Sequence, residues 1–159
     1  MKLWLSDPSP ALCAVFADIA ATRMAGLPIC NPHLQVEAIG FRRADDGHWV
    51  GVMVTPWAIN LLRLPAQADG WPVLPAGSKC DWGFASGDYE FTLAEEARLG
   101  EYHLCSLFSP ASEFASHEQA RLTALAIATA LHEAPMSASE TPPATSAAPS
   151  RRAFLGLRG

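Results

Sequence analysis

Asp45-Asp46-Gly47-His48-Trp49-Val50-Gly51-Val52-Met53-Val54 is the stretch that decides the fold. Asp-Gly supplies the positive φ that a tight hairpin requires, and the six residues from Trp49 are almost uninterruptedly apolar. The run Val36–Phe41 lies on the other side of this turn, so the two segments read as antiparallel neighbours. A strand as apolar as Trp49–Val54 is central, with cover on both faces, or at least a helix packed on one and aromatic side chains on the other. Working outward, Pro56 and Pro65 bracket Ala58–Leu64, too short for a good helix and therefore a strand. Five prolines and glycines make residues 65–78 a loop. Asp81–Ala85 and Tyr89–Leu93 flank Ser86-Gly87-Asp88 as a further hairpin, and Tyr102–Leu107 supplies a last strand.

Helical signals frame this region. Ser9-Pro10 is a helix start, Leu12, Val15, Phe16 and Ile19 recur at helical spacing, and Gly26 with Pro28 forms the stop, which predicts a helix over Pro10–Ala25. Ser109-Pro110 repeats the start, and Phe114, Leu122, Leu125 and Thr129 extend a second helix to about His132. The expected fold class is α+β: an antiparallel, meander-like sheet of five or six strands with an N-terminal and a C-terminal helix packed on it, and a disordered tail. The single domain is expected to span residues 1–133. Residues 134–149, almost wholly Pro, Ala, Ser and Thr, read as a linker with too little apolar bulk to offset the entropy of ordering. Residues 150–159 form the tail.

The tail reads Ser150-Arg151-Arg152-Ala153-Phe154-Leu155, the core of a twin-arginine export signal at the end opposite to the one from which such signals work. It is therefore not expected to serve as an address. With eight basic and sixteen acidic side chains, residues 1–149 carry a net charge of 8 − 16 = −8, against which the tail sets three arginines. An acidic body argues against nucleic acid as a partner, because phosphate binding needs clustered Lys and Arg. No apolar run approaches the ~18 residues of a membrane span, and Met1–Leu5 is too short for a secretory signal, so a cytoplasmic protein without membrane insertion is expected. Cys13, Cys30, Cys80 and Cys105 are unevenly spaced and read as reduced thiols.

Chemistry-bearing motifs are sparse. Cys30-Asn31-Pro32-His33 and His103-Leu104-Cys105 each bring two metal-ligand types together, but neither has the paired spacing of a zinc site, so no metal and no cofactor is expected. Ser106 and Ser109 lack a nucleophile elbow, and no glycine loop cradles a phosphate, so no catalytic residue is expected. Asp88, Glu90, Glu95, Glu96 and Glu101 place five acids within fourteen residues, opposed only by Arg98. Such a rim is either ordinary solvated surface or a seat for a cationic peptide. Trp57, Trp71, Trp82, Phe84 and Phe108 offer large apolar surfaces beside it, as core or as partner anchors.

Four stretches then resemble one family in order: Asn31–Phe41, Trp49–Asn60, Ser86–Phe91 and Leu99–Pro110. Together with the Arg-Arg-x-Phe-Leu ending they are similar to the NiFe-hydrogenase assembly chaperones of the HybE/HupJ type. The resemblance implies a non-enzymatic accessory protein that attends precursors of an uptake hydrogenase before export. Its partners would be the hydrogenase small subunit precursor, the large subunit precursor or both, with other maturation factors as further partners. It singles out Thr55-Pro56-Trp57 with Asn60, and Cys105-Ser106-Leu107-Phe108-Ser109-Pro110. The rubredoxin module carried by some relatives is not expected, because a Cys-x₂-Cys pair is lacking. Partner binding is accordingly expected at Trp57, Asn60, Asp88, Glu90, Glu95, Glu96 and Phe108, with Arg151, Arg152, Phe154 and Leu155 as the tail motif. A metal or redox carrier using Cys30, His33, His103 and Cys105 is the alternative. For the tail, three readings stand: occupancy of the chaperone's own peptide site, docking on another maturation factor or the export machinery, and a basic end without a partner.

Overall fold

The computed structural model describes residues 1–134, so the tail motif and all but the first residue of the expected linker lie outside the described residues. Eight elements follow one another: α1 (Ser9–Ala21), β1 (Glu37–Arg43), β2 (Trp49–Val54), β3 (Ile59–Leu64), β4 (Lys79–Phe84), β5 (Gly87–Glu96), β6 (Gly100–Phe108) and α2 (His117–Ala130). All strand pairs are antiparallel, in the order β1-β2-β3-β6-β5-β4. The sheet is thus two three-stranded meanders joined through β3 and β6, with the 65–78 loop carrying the chain to the far edge.

All six residues of β2 are buried, as the continuous apolar run predicts. Val50, Val52 and Val54 face the core under α2, and Trp49 and Met53 face the core under α1 and Trp4. The turn before β2 closes with Gly47 N–H donating to the Ala44 carbonyl and Ala44 N–H to that of His48, with Gly47 at φ 91°. In β1, Gly40 takes φ 69° at a register shift between Ile39 and Arg42, a bulge, and a Cβ there would stand 2.7 Å from that of Ala128. The helix therefore rests almost directly on the strand.

Both helices differ from the sequence reading at their ends. The Asp7 carboxylate accepts from the N–H and hydroxyl of Ser9, so the first helix begins one residue early. It closes at Ala21, where the Ile19 carbonyl accepts from Thr22 and Met24 N–H, before Gly26 is reached. The second helix does not start at Ser109-Pro110, which is a cis peptide after β6. Its cap is Ser116, whose hydroxyl accepts from Gln119 N–H while Gln119 Oε1 accepts from Ala115 N–H. Nor do Leu122 and Leu125 face the core: they are exposed, and Ala120 and Ala124 are buried instead. Small side chains are what allow α2 to approach Gly40 so closely.

The β4–β5 hairpin curls over the α2 face of the sheet. Ser86 N–H donates to the Leu131 carbonyl, and the Phe84 ring lies 6.1 Å from that of His132. Beneath the hairpin Arg63 is fully buried. Its guanidinium forms a two-pronged ion pair with Asp46 (2.7 and 2.8 Å) and stacks under Trp82 (4.4 Å) and Phe84 (5.0 Å).

Removing Asp46 strands a buried cation. Asp46→Ala is expected to cost roughly 2–4 kcal/mol in urea unfolding, less than a fully enclosed pair because the carboxylate meets water. Arg63→Met, which removes the charge while keeping bulk, costs less than Asp46→Ala.

Candidate functional site

The expected binding residues fall into three separate places. Trp57 lies in the β2–β3 turn, tied by Thr55, whose N–H and hydroxyl both donate to the Ala58 carbonyl (2.9 and 2.7 Å). The Pro56 carbonyl accepts from Asn31 N–H at 2.8 Å, and the Asn31 amide donates to the carbonyls of Ala111 and Phe114, both at 2.9 Å. One buried asparagine thus bolts three loops together. Trp57 and Asn60 are half-buried, Asn60 in register with Met53 and Ser106. Phe108 packs edge-on against Phe114 at 5.1 Å and serves this same junction.

Asp88 and Glu90 are exposed on the β4–β5 hairpin, whose tip meets the end of α2. The Trp57 turn, by contrast, adjoins the segment before α2, so the two sites are separated by about the 20 Å length of that 14-residue helix. Glu95 and Glu96 end β5 at its other extreme. Glu95 is exposed opposite Glu101, whereas Glu96 is fixed by Arg98 (3.3 Å) and Arg23 (3.6 Å), and Arg98 continues to Asp18 of α1 (2.8 Å). Burial raises the Glu96 pKa, but hydrogen bonds from Arg98 outweigh it and hold the carboxyl below its ordinary range. Glu96 thereby fastens the β5–β6 turn to α1.

Sequence reading left Trp71 and Trp82 open between core and anchor and did not bring them together with Cys80, Asp81 and His103; Trp71 is buried, as the core reading has it, and Trp82 is half-buried. Trp71, carried in by the 65–78 loop, stacks on His103 (4.1 Å), abuts Trp82 (5.4 Å) and meets His48 edge-on (5.0 Å). Over these rings opens a cleft of about 370 Å³ lined by Gly70, Trp71, Pro72, Cys80, Asp81 and Trp82. Its surroundings are mixed: Asp69 and Asp81 are exposed carboxylates, Asp81 stands opposite Glu90, and Val73 and Leu74 are exposed apolar side chains.

The floor is built for rigidity. His103 Nδ1 accepts from Trp82 Nε1 (2.9 Å) and lies 3.6 Å from Cys80 Sγ, while His48 Nδ1 accepts from Ala66 N–H (3.2 Å). Burial, with Arg63 and His48 nearby, pushes the His103 pKa down to about 4, and burial lowers that of His48 too. Burial and Asp81 push the Cys80 thiol up. At neutral pH both imidazoles are uncharged and Cys80 is a thiol. Nδ1 of each ring accepts a hydrogen bond, from the Trp82 indole at His103 and from the Ala66 N–H at His48, whereas His48 Nε2, His103 Nε2 and Trp71 Nε1 are buried with no hydrogen-bond partner among the described residues. Cys30 and His33 lie in the α1–β1 loop and His103 and Cys105 in β6, and among the described residues no three ligand side chains come together for a metal.

A family model for the [NiFe]-hydrogenase assembly chaperone HybE matches residues 7–157. The chain belongs to that family. The HybE family match extends through Arg151–Leu155. HoxT of Cupriavidus necator is 40% identical over 152 residues, 88% of this chain and 83% of HoxT. The probable rubredoxin HupJ of Rhodobacter capsulatus is 40% identical over 110 residues, 69% of this chain but 39% of HupJ. The solution structure of HybE from Escherichia coli matches with TM-score 0.68 at 26% identity, covering 93% of this chain and 91% of that one. Among the described residues of this HybE-family chain, no helix is long and apolar enough to cross a membrane.

The floor makes stability pH-dependent. A histidine titrating near 6.5 when unfolded and near 4 when folded contributes stability that is complete above about 6.5 and is lost as pH falls toward 4. Chemical unfolding between pH 7 and pH 4.5 should show a loss of ~2 kcal/mol from this group. His103→Gln, which keeps an acceptor for Trp82, should flatten the profile.

Proposed function

We infer that this chain is a non-catalytic chaperone that binds an immature hydrogenase subunit in the cytoplasm and delays its export until its cofactors are in place. The observation that carries the reading is the Trp71–Trp82 cleft, in which rigid indoles, exposed carboxylates and an exposed Val73-Leu74 edge occur side by side. A twin-arginine signal presents guanidinium groups followed by apolar side chains, in the complementary order. Guanidinium stacks on indole and pairs with carboxylates, so the half-buried Trp82 with Asp69 and Asp81 suits the arginines, over a floor fixed by the buried Trp71, and the Val73-Leu74 edge suits the apolar side chains. The small subunit precursor is the client this chemistry favours. Large subunit precursors and other maturation factors fit the separate patch where Leu27 and Ile29 are exposed and Trp57 is half-buried.

Co-purification from cells expressing the matching hydrogenase tests the reading. The tagged chain should retain the small subunit precursor. Asp81→Lys should reduce that retention about tenfold, the size expected for losing one central contact, and Trp82→Ala should reduce it further. Retention of neither subunit, or equal retention by Asp81→Lys, overturns the assignment. Circular dichroism of both variants separates lost binding from lost folding.

A further inference from the structure

The described chain ends beside the cleft. Leu131 is hydrogen-bonded to Ser86, and the His132 ring lies 6.1 Å from that of Phe84, two residues along β4 from Trp82. Residues 135–159 therefore start within a few residues' length of the indoles. The sixteen residues 135–150 can reach up to about 55 Å when fully extended, far more than this gap requires. Residues 1–134 carry eight basic and fifteen acidic side chains, a net of 8 − 15 = −7, and the three remaining basic residues are Arg151, Arg152 and Arg158.

We propose that Arg151-Arg152-Ala153-Phe154-Leu155 of the same chain occupies the Trp71–Trp82 cleft, with the arginines against Asp69 and Asp81 and Phe154-Leu155 along Pro72-Val73-Leu74. The proposal rests on the client site assigned above and gives that site a second, intramolecular occupant. Charge opposes charge at the cleft, the apolar part of the tail has an exposed apolar edge to cover, and the exit point of the chain puts the tail where it is needed. A short tether supplies an effective concentration near mM, so even an intrinsic affinity of ~100 μM keeps the cleft mostly occupied. A client must then displace the tail, and weak or incomplete signals fail to do so.

Five indole N–H resonances, from Trp4, Trp49, Trp57, Trp71 and Trp82, provide the readout in ¹⁵N-labelled full-length protein. In the Arg151→Ala, Arg152→Ala double variant the Trp71 and Trp82 resonances should move while the other three stay. A synthetic peptide of residues 150–159 should move them back, and should bind the variant about tenfold more tightly than the unaltered chain. Asp81→Lys in the otherwise unaltered chain should reproduce the double variant's shifts. Unmoved resonances in the double variant overturn the proposal. Shifts that depend on protein concentration overturn the intramolecular form in favour of docking between copies. No client is present in this experiment: docking of the tail without retention of a precursor sinks only the client assignment, and retention without indole shifts sinks only the tail.

Discussion

A guanidinium inside a protein is tolerable only if its charge is met, and Arg63 meets that condition through its two terminal nitrogens, while its Nε is buried with no hydrogen-bond partner among the described residues. It arises on β3 between Leu62 and Leu64, where a surface strand would point it to water, yet its side chain is completely enclosed. Asp46 neutralises it from the β1–β2 turn, and the His48 carbonyl accepts a further bond at 3.2 Å. Trp82 and Phe84 come over it from the opposite edge of the sheet. Arg63 is thus the point at which the two meanders meet, and the β4–β5 hairpin curls because it must cover this charge. Without the curl, Trp82 would not stand beside Trp71, and the cleft would have no floor.

Much of the fold was legible because it depends on local chemistry. Asp45-Asp46-Gly47 announced the first hairpin, the unbroken apolar run of β2 announced a strand covered twice, and prolines marked both ends of β3. Two kinds of feature were not. The start of α2 was misplaced because Ser109-Pro110 imitates a helix start, while the true signal, Ser116 followed three residues later by Gln119, sits within an unremarkable polar stretch. Its buried face was misassigned because leucine normally marks the core, whereas here close approach at Gly40 demanded alanine.

The cleft was illegible for another reason. Its parts come from β3, β4, β6, the β1–β2 turn and the 65–78 loop, and nothing in their spacing announces that His48, Arg63, Trp71, Trp82 and His103 converge. The acidic residues taught the converse lesson: proximity along β5 did not make them one surface, because a ten-residue strand spans ~30 Å and Glu96 is already engaged by two arginines.

The sheet has two open edges, β1 and β4, and an open edge is a template on which any extended polypeptide can add itself as a further strand. Here the edge strands are guarded. β1 is bent by the Gly40 bulge and carries Arg42 and Arg43, and β4 is six residues long and alternates exposed Lys79, Asp81 and Gly83 with its inward side chains. Edges guarded in this way discourage indiscriminate backbone capture of extended polypeptides. What such edges leave available for recognition is side chains and not the row of unpaired backbone groups.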